Sequence, residues 1–333
     1  MNEVENRIEL IRRIEELRHS KAVLYVTGDR QGLETQLGHD IIDLFVDHLD
    51  SIGPVEKISL ILYTNGGNTS AAWNLVNLLH MFCDDFEIIA PGKCMSAGTL
   101  ICLGANRIVM TKQATLGPID PSIHHPLGPP IPGASEDARA PVSVEAVNGY
   151  LDAFTEENKR RALLDLSNKV HPLVLGEIFR SRQQIRDLSQ RLLVRHKRDS
   201  NTINKIIDFL CSESGSHDYT MNRREAADLG LEIEKCDTEL YDLLRNLRES
   251  YATQMQLRAP FDINAYAENP GNSTDYVFTR AIIESVIHGA HHFVSEGVIG
   301  TTVVSNQTHP NMPPVEQLAI QDQRKFEGWR KVQ

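Results

Sequence analysis

The sequence predicts an α/β fold, a largely parallel sheet joined by crossover helices. Three observations carry that expectation. Short apolar runs rich in Ile, Leu and Val recur at 21–27, 58–63, 86–90 and 107–111, and each is short enough for a buried strand. Helix-like segments separate the first three of these runs, at 40–49 and 70–81. Two of the runs end in junctions of small residues, Gly66-Gly67 and Ser96-Ala97-Gly98, each opening a helix. Strands alternating with helices pair in parallel, because a crossover helix returns the chain to the same end of the sheet.

Residues 3–19 read as an amphipathic helix, with Ile8, Ile11, Ile14 and Leu17 on one face and Glu and Arg on the other. The strand 21–27 and a loop at 28–32 follow, then the helix 40–49 with Ile41, Ile42, Leu44, Phe45 and Leu49 on its apolar side. The two strand-helix units and the strand 107–111 complete the predicted sheet. Residues 115–141 are rich in Pro and Gly and form neither helix nor central strand. Helices are then expected at 144–169, broken near Thr155, at 171–196 and at 200–211. A short strand precedes a helix capped by Asn222 with Glu225 three residues on, stopped by Gly230. A further helix spans 236–256. From Arg258 the composition becomes linker-like; 277–294 reads as one more helix and 318–332 as a short terminal one, with Trp329 as its anchor. The expected division is therefore an N-terminal helix (1–20), a main domain (21–257) containing the Pro/Gly-rich loop, and a linker with a helical extension (258–333).

The chain has 333 residues, 41% of them hydrophobic and 24% charged, which is the composition of a globular protein. Its net charge of −11 argues against a nucleic-acid-binding surface. The five cysteines (Cys83, Cys94, Cys102, Cys211, Cys236) have no CxxC spacing and read as reduced thiols of a cytoplasmic protein. Cys94 is assigned to packing. No apolar run approaches the ~18–20 residues of a membrane helix, so no membrane association is expected. His124 and His125 are adjacent and poorly placed to share one ion, so no metal is expected, and no GxxxxGK[ST] or GxGxxG motif calls for a nucleotide cofactor.

Ser96 sits where a strand turns into a helix. Two readings stand: a helix cap, or a nucleophile whose hydroxyl lies beside unpaired helix amides. Gly66 and Gly67 follow the preceding strand, and glycines there can turn backbone amides toward a developing negative charge.

Taken together, "LILYTNGGNTSAAWNLVNLL", "FEIIAPGKCMSAGTLICLGANRIVM" and "ATLGPIDP" resemble the Clp-fold serine peptidases, which include the Clp proteolytic subunit and signal peptide peptidase A. The nearest resemblance is to the SDH (serine dehydrogenase proteinase) group, over roughly residues 5–250. "LGPIDP" and "SHDYTMNRREAADLGL" strengthen it. The resemblance implies a ClpP/crotonase-like fold and a serine endopeptidase, with Ser96 as nucleophile and the amides of Gly67 and Ala97 as oxyanion donors. A peptide groove would be edged by Gly66, Asn68 and Thr69.

The general base is where the sequence departs from the pattern. No histidine follows the serine until His124, so His217, Lys169 and His171 stand as alternatives, with Asp120 as an orienting acid or a loop anchor. Each has a structural alternative: a solvated lysine, a helix-capping histidine, a loop-pinning histidine. The resemblance also implies a homo-oligomer acting on peptide or protein, with any unfoldase or regulatory partner on a separate chain. The competing expectation is a catalytically silent Clp-fold scaffold or partner-binding subunit. Crotonase-type acyl chemistry, which usually relies on acids rather than a Ser-Ala-Gly nucleophile, comes third.

Overall fold

The computed structural model describes residues 3–120, 122–196, 198–213, 218–266, 273–306 and 315–332. The helices are α1 (Glu3–Arg18), α2 (Ile41–Ile52), α3 (Thr69–Leu79), α4 (Ala97–Leu103), α5 (Val144–Asp152), α6 (Glu156–Ser167), α7 (Pro172–Val194), α8 (Ser200–Asp208), α9 (Arg223–Leu229) and α10 (Thr238–Gln254). The strands are β1 (Lys21–Thr27), β2 (Val55–Tyr63), β3 (Cys83–Ala90), β4 (Lys93–Cys94), β5 (Arg107–Met110), β6 (Thr115–Leu116), β7 (Ser122–Ile123), β8 (Val142–Ser143), β9 (Met221–Asn222), β10 (Ile233–Lys235), β11 (Ser273–Ser285), β12 (Gly289–Asn306) and β13 (Val315–Val332).

Eight strands form the main sheet in the order β10-β5-β3-β2-β1-β11-β12-β13. The first five are mutually parallel. The stretches 60–63 and 88–90 are apolar on successive residues because both faces of this half are covered. Val23, Tyr25, Leu60, Leu62 and Ile88 point into one core with residues of α2, α3, α4, α8 and α9. Leu24, Val26, Ile61, Tyr63 and Ile89 point into a second core with α1 and α10. Helix α1 is fixed from its polar side as well. Buried Arg7 donates from Nε and Nη2 to the Glu284 carboxylate at 2.9 and 2.7 Å, and from Nη1 to Ser250 Oγ at 3.1 Å.

The C-terminal region differs from the expected helical extension. Residues 273–332 supply β11, β12 and β13, which extend the sheet antiparallel from β1. The reason lies in composition: 276–283 and 293–304 are crowded with Val, Ile, Thr, Phe and Tyr, whose branched and aromatic side chains fit a pleated surface better than a helix. Gly289, at φ +92°, closes the three-residue turn between β11 and β12. Trp329 is an anchor as expected, but from a strand: its Nε1 donates to Asp40 Oδ2 at 2.7 Å, and its ring meets Phe293 edge-on. The helix break near Thr155, the Asn222–Glu225 capping box and the left-handed Gly230 (φ +107°) are all present.

Candidate active site at the Ser96 junction

The carboxyl ends of β2 and β3 lie side by side, the edge of an open α/β sheet where ligands bind. From this edge a small second sheet is built: β4 pairs parallel with β6, and β6 pairs antiparallel with β9. It carries the junction at 93–96, the 115–117 segment and the 221–222 segment to one place.

Ser96 has φ 51° and ψ −114°, a conformation that is costly for a residue with a Cβ. It stands immediately before α4, yet its side chain caps no amide of that helix. The capping reading therefore fails on geometry. The strand-to-helix turn at this residue is a strained elbow. The residue is 9% exposed. Thr99, one turn into α4, holds the elbow to the following loop: Thr99 Oγ1 lies 2.8 Å from both the Cys94 and Gly117 carbonyls and accepts from the Gly117 amide at 3.0 Å.

Gly66 (φ +105°) backs directly onto the serine. A Cβ at Gly66 would lie 2.7 Å from Ser96 Cβ, 2.8 Å from the Met95 carbonyl and 3.1 Å from the Ala97 amide nitrogen. Gly67 (φ +145°) is equally hemmed in by the Leu37 backbone, 2.4 Å from where its Cβ would stand. Both glycines are thus required by positive φ and by close approach. The Gly66 amide donates to Thr64 Oγ1 at 2.9 Å, and Thr64 Oγ1 sits 2.7 Å from Thr27 Oγ1 at the end of β1.

Leu37 takes up one edge of the glycine segment. Its amide donates to the Gly66 carbonyl at 2.9 Å, and its carbonyl accepts from the Asn68 amide at 2.8 Å. The amides of Gly67 and Ala97 make no hydrogen bond among the described residues. Asn68 caps α3, accepting from the Ala71 amide at 2.9 Å, and Thr69 is that helix's first residue. In the expected groove, then, Gly66 and Asn68 have spent one backbone group each on Leu37.

A cleft of about 360 Å³ opens beside the elbow, lined by Asn65, Lys93, Met95, Thr115, Asp218 and Thr220. Lys93 Nζ donates to Asp29 Oδ2 at 2.6 Å, and Tyr63 Oη donates to the same oxygen at 3.0 Å. The Asp29–Lys93 pair was not singled out from sequence. Its only signal there is an acid and a base flanking two separate loops.

The proposed bases fall in different surroundings. His217 lies outside the described residues; Asp218, next in the chain, lines the cleft. Lys169 is exposed on the turn between α6 and α7. His171 is exposed and caps α7, accepting from the Leu173 amide through Nδ1 at 3.2 Å. The core beneath that turn, Val144, Val147, Val170, Val174, Leu175 and Ile178, is separate from the one that holds Ala97. Asp120 is 5% exposed and engaged as a loop anchor. Its two oxygens accept from Ser143 Oγ at 2.8 Å and the Glu145 amide at 3.2 Å, which ties the loop to the start of α5. Cys94 is fully buried and donates to the Leu62 carbonyl; burial raises its thiol well above the ordinary range, so it packs. All five cysteines are free and buried. Among the described residues no helix is long and apolar enough to cross a membrane.

Fold and junction together define a mixed α/β protein with a buried serine at a strained strand-to-helix turn. Residues 1–139 match the family of ClpP-like SDH-type serine proteinases, in agreement with the resemblance read from the sequence. Two curated relatives come from Methanocaldococcus jannaschii, the uncharacterized proteins MJ0137 and MJ1495. The first is 27% identical over 215 residues, 64% of this chain and 65% of that protein's length. The second is 27% identical over 250 residues, 72% of this chain and 75% of its own length. Similar solved structures include a mutant of the 1510-N membrane-bound stomatin-specific protease (TM-score 0.38, 17% identity, 66% of this chain and 83% of that one). Another is a mutant of ClpP1 from Listeria monocytogenes (TM-score 0.37, 15% identity, 68% of this chain and 98% of that one).

Proposed function

We propose that this protein is a serine endopeptidase in which Ser96 attacks the scissile carbonyl. The observation that carries the reading is the Ser96 backbone, held at a costly φ and ψ with its hydroxyl released from capping. A strained turn persists only where the surrounding structure imposes it, and such turns gather at reacting groups. The amides of Gly67 and Ala97, which have no acceptor among the described residues, are assigned to the oxyanion. Losing one such donor typically costs ~2.7–4 kcal/mol of transition-state stabilisation. Gly67 and Thr69 offer backbone to an extended peptide on the side that Leu37 leaves open.

His217 is assigned as the base. The assignment is supported by Asp218 lining the cleft beside Met95, by the exposed surroundings of Lys169 and the capping role of His171, and by the small pKa adjustment a histidine needs near neutral pH. The protein acts as a homo-oligomer in this reading. Exposed Leu164 (60%), Leu173 (64%) and Phe179 (39%) on α6 and α7 are the contact surface that supports it.

Labelling with a fluorophosphonate probe tests the proposal. Wild type should label and Ser96→Ala should not, with both folded by circular dichroism. His217→Gln should lose labelling, while Lys169→Met and His171→Gln retain it. Labelling that survives Ser96→Ala would remove the nucleophile assignment. A wild type that never labels would favour the silent scaffold.

A further inference from the structure

At the opposite end of the sheet from Ser96, three histidines converge. His48 lies in the last turns of α2, His288 in the turn between β11 and β12, and His291 at the start of β12. One ring nitrogen from each lies within 4.8 Å of the other two. His48 Nε2 and His291 Nδ1 face each other at 3.1 Å. Tetrahedral Zn²⁺ with Zn–N bonds of about 2.0–2.1 Å requires ligand nitrogens about 3.3–3.4 Å apart. The observed separation is already close to that edge.

We propose that His48, His288 and His291 form a site for a divalent cation that favours imidazole, of the Zn²⁺ class, joining α2 to the β11–β12 hairpin.

The hydrogen bonds around the rings orient them for this. Ser51 Oγ donates its single hydrogen to the Asp47 carbonyl at 2.8 Å, so at 2.7 Å from His288 Nδ1 it must accept. His288 therefore carries its proton on Nδ1 and presents a lone pair at Nε2. Ser285 Oγ stands 2.7 Å from His48 Nδ1 in the equivalent supporting position, leaving His48 Nε2 for the ion. Such outer partners fix the tautomer of metal-binding histidines. Between His48 Nε2 and His291 Nδ1 one hydrogen is needed when no ion is bound. On binding, His291 carries its proton on Nε2, and both facing atoms become donors to the cation.

Burial lowers all three imidazoles, His48 to about 3. Lys331 Nζ lies 3.2 Å from His288 Nε2 and so places a positive group against one of the lone pairs. Its side chain reaches in from exposed β13, and a bound cation would displace it. His288 is partly exposed, which leaves a fourth position to water. The ligands come from positions 48 and 288–291, too far apart in sequence to suggest a shared ion. No local sequence motif therefore marks the cluster. The site lies away from the cleft, so the ion would act as a clip on the fold.

Equilibrium dialysis of the full chain against Zn²⁺, followed by elemental analysis, tests the site; Co²⁺ reports its geometry by visible absorption. The expected result is one Zn²⁺ per chain, a tetrahedral Co²⁺ spectrum and a rise in thermal midpoint with Zn²⁺. His291→Gln and His288→Gln should each weaken binding at least tenfold, and Lys331→Met should tighten it. His288, in a half-exposed turn, serves as the variant if His291→Gln fails to fold. His124→Gln should change nothing. Zn²⁺ binding that is absent in wild type, or unchanged in both His288→Gln and His291→Gln, overturns the proposal.

Discussion

Gly66 Cα is placed so that any Cβ on it would stand 2.7 Å from the Cβ of Ser96. The strand end and the serine elbow therefore fit together only through a hydrogen atom. This contact, with a Gly66 φ of +105°, makes the position intolerant. Gly66→Ala should destabilise the fold by about 3 kcal/mol, combining backbone strain with a displaced elbow. Chemical denaturation measures the loss, and a change under 1 kcal/mol would show that the junction gives way easily.

The strain at Ser96 itself predicts a gain from its removal. Ser96→Gly should raise stability by about 1 kcal/mol, because glycine adopts φ 51°, ψ −114° at little steric cost, while abolishing probe labelling. A thermal midpoint that falls in this variant would mean that the serine hydroxyl contributes more to the fold than its backbone costs.

Arg7 and Glu284 are both fully buried. Burial alone would raise the Glu284 carboxyl, but hydrogen bonds from His292 and Arg7 outweigh it and hold the carboxyl low. Arg7→Met leaves that charge without its guanidinium and should cost about 3–5 kcal/mol. Adding Glu284→Gln to Arg7→Met should recover part of the loss. Equal stability of the single and double variants would rule out the ion pair as the source.

Helix α4, which follows Ser96, ends on two histidines. His196 Nε2 lies 3.2 Å from the Leu103 carbonyl and His80 Nε2 lies 2.9 Å from that of Gly104. Burial, then Arg198, lowers His196 to about 4 despite the opposing Leu103 hydrogen bond; His80 and Arg195 add to the lowering. The unfolded chain, with an ordinary value near 6.5, binds more protons between these limits. The contribution is thus complete above pH 6.5 and is lost as pH falls toward 4. With partial exposure discounted, its size is on the order of 1–2 kcal/mol. Urea midpoints measured from pH 7.5 to 4.5 should fall more steeply for wild type than for His196→Gln. Parallel curves would exclude His196 as the source.

Much of this arrangement is legible before any coordinates. β1, β2, β3 and β5 announce themselves as apolar runs because both faces of the parallel half are covered. Gly66-Gly67 and Ser96-Ala97-Gly98 stand out because only small residues tolerate the contacts there. The helix caps at Asn222 and Gly230 follow from local chemistry alone. Residues 277–294 were less readable, since short apolar runs broken by Thr279, Arg280, Glu284 and His288 fit neither the helix nor the strand period cleanly. Gly289 and the weight of Val, Ile and Thr were the available signal. The Leu37 strap, the Asp29–Lys93 pair and the histidine cluster depend on long-range pairing, which no local pattern encodes.

The placement of β11 has a consequence for synthesis. Thr27 pairs with Ala281, and the Gly28 amide donates to the Arg280 carbonyl. Thr27 in turn meets Thr64, which receives the Gly66 amide. A nascent chain that has emitted residues 21–110 can assemble the parallel strands, but the outer edge of β1 stays open and Arg7 lacks its carboxylate. At ≈5–20 residues per second, the wait until residue 284 is about 10–35 s. The ribosome thus sets the moment at which the floor beneath the serine becomes fixed, and that moment comes only once residues 281–284 have emerged.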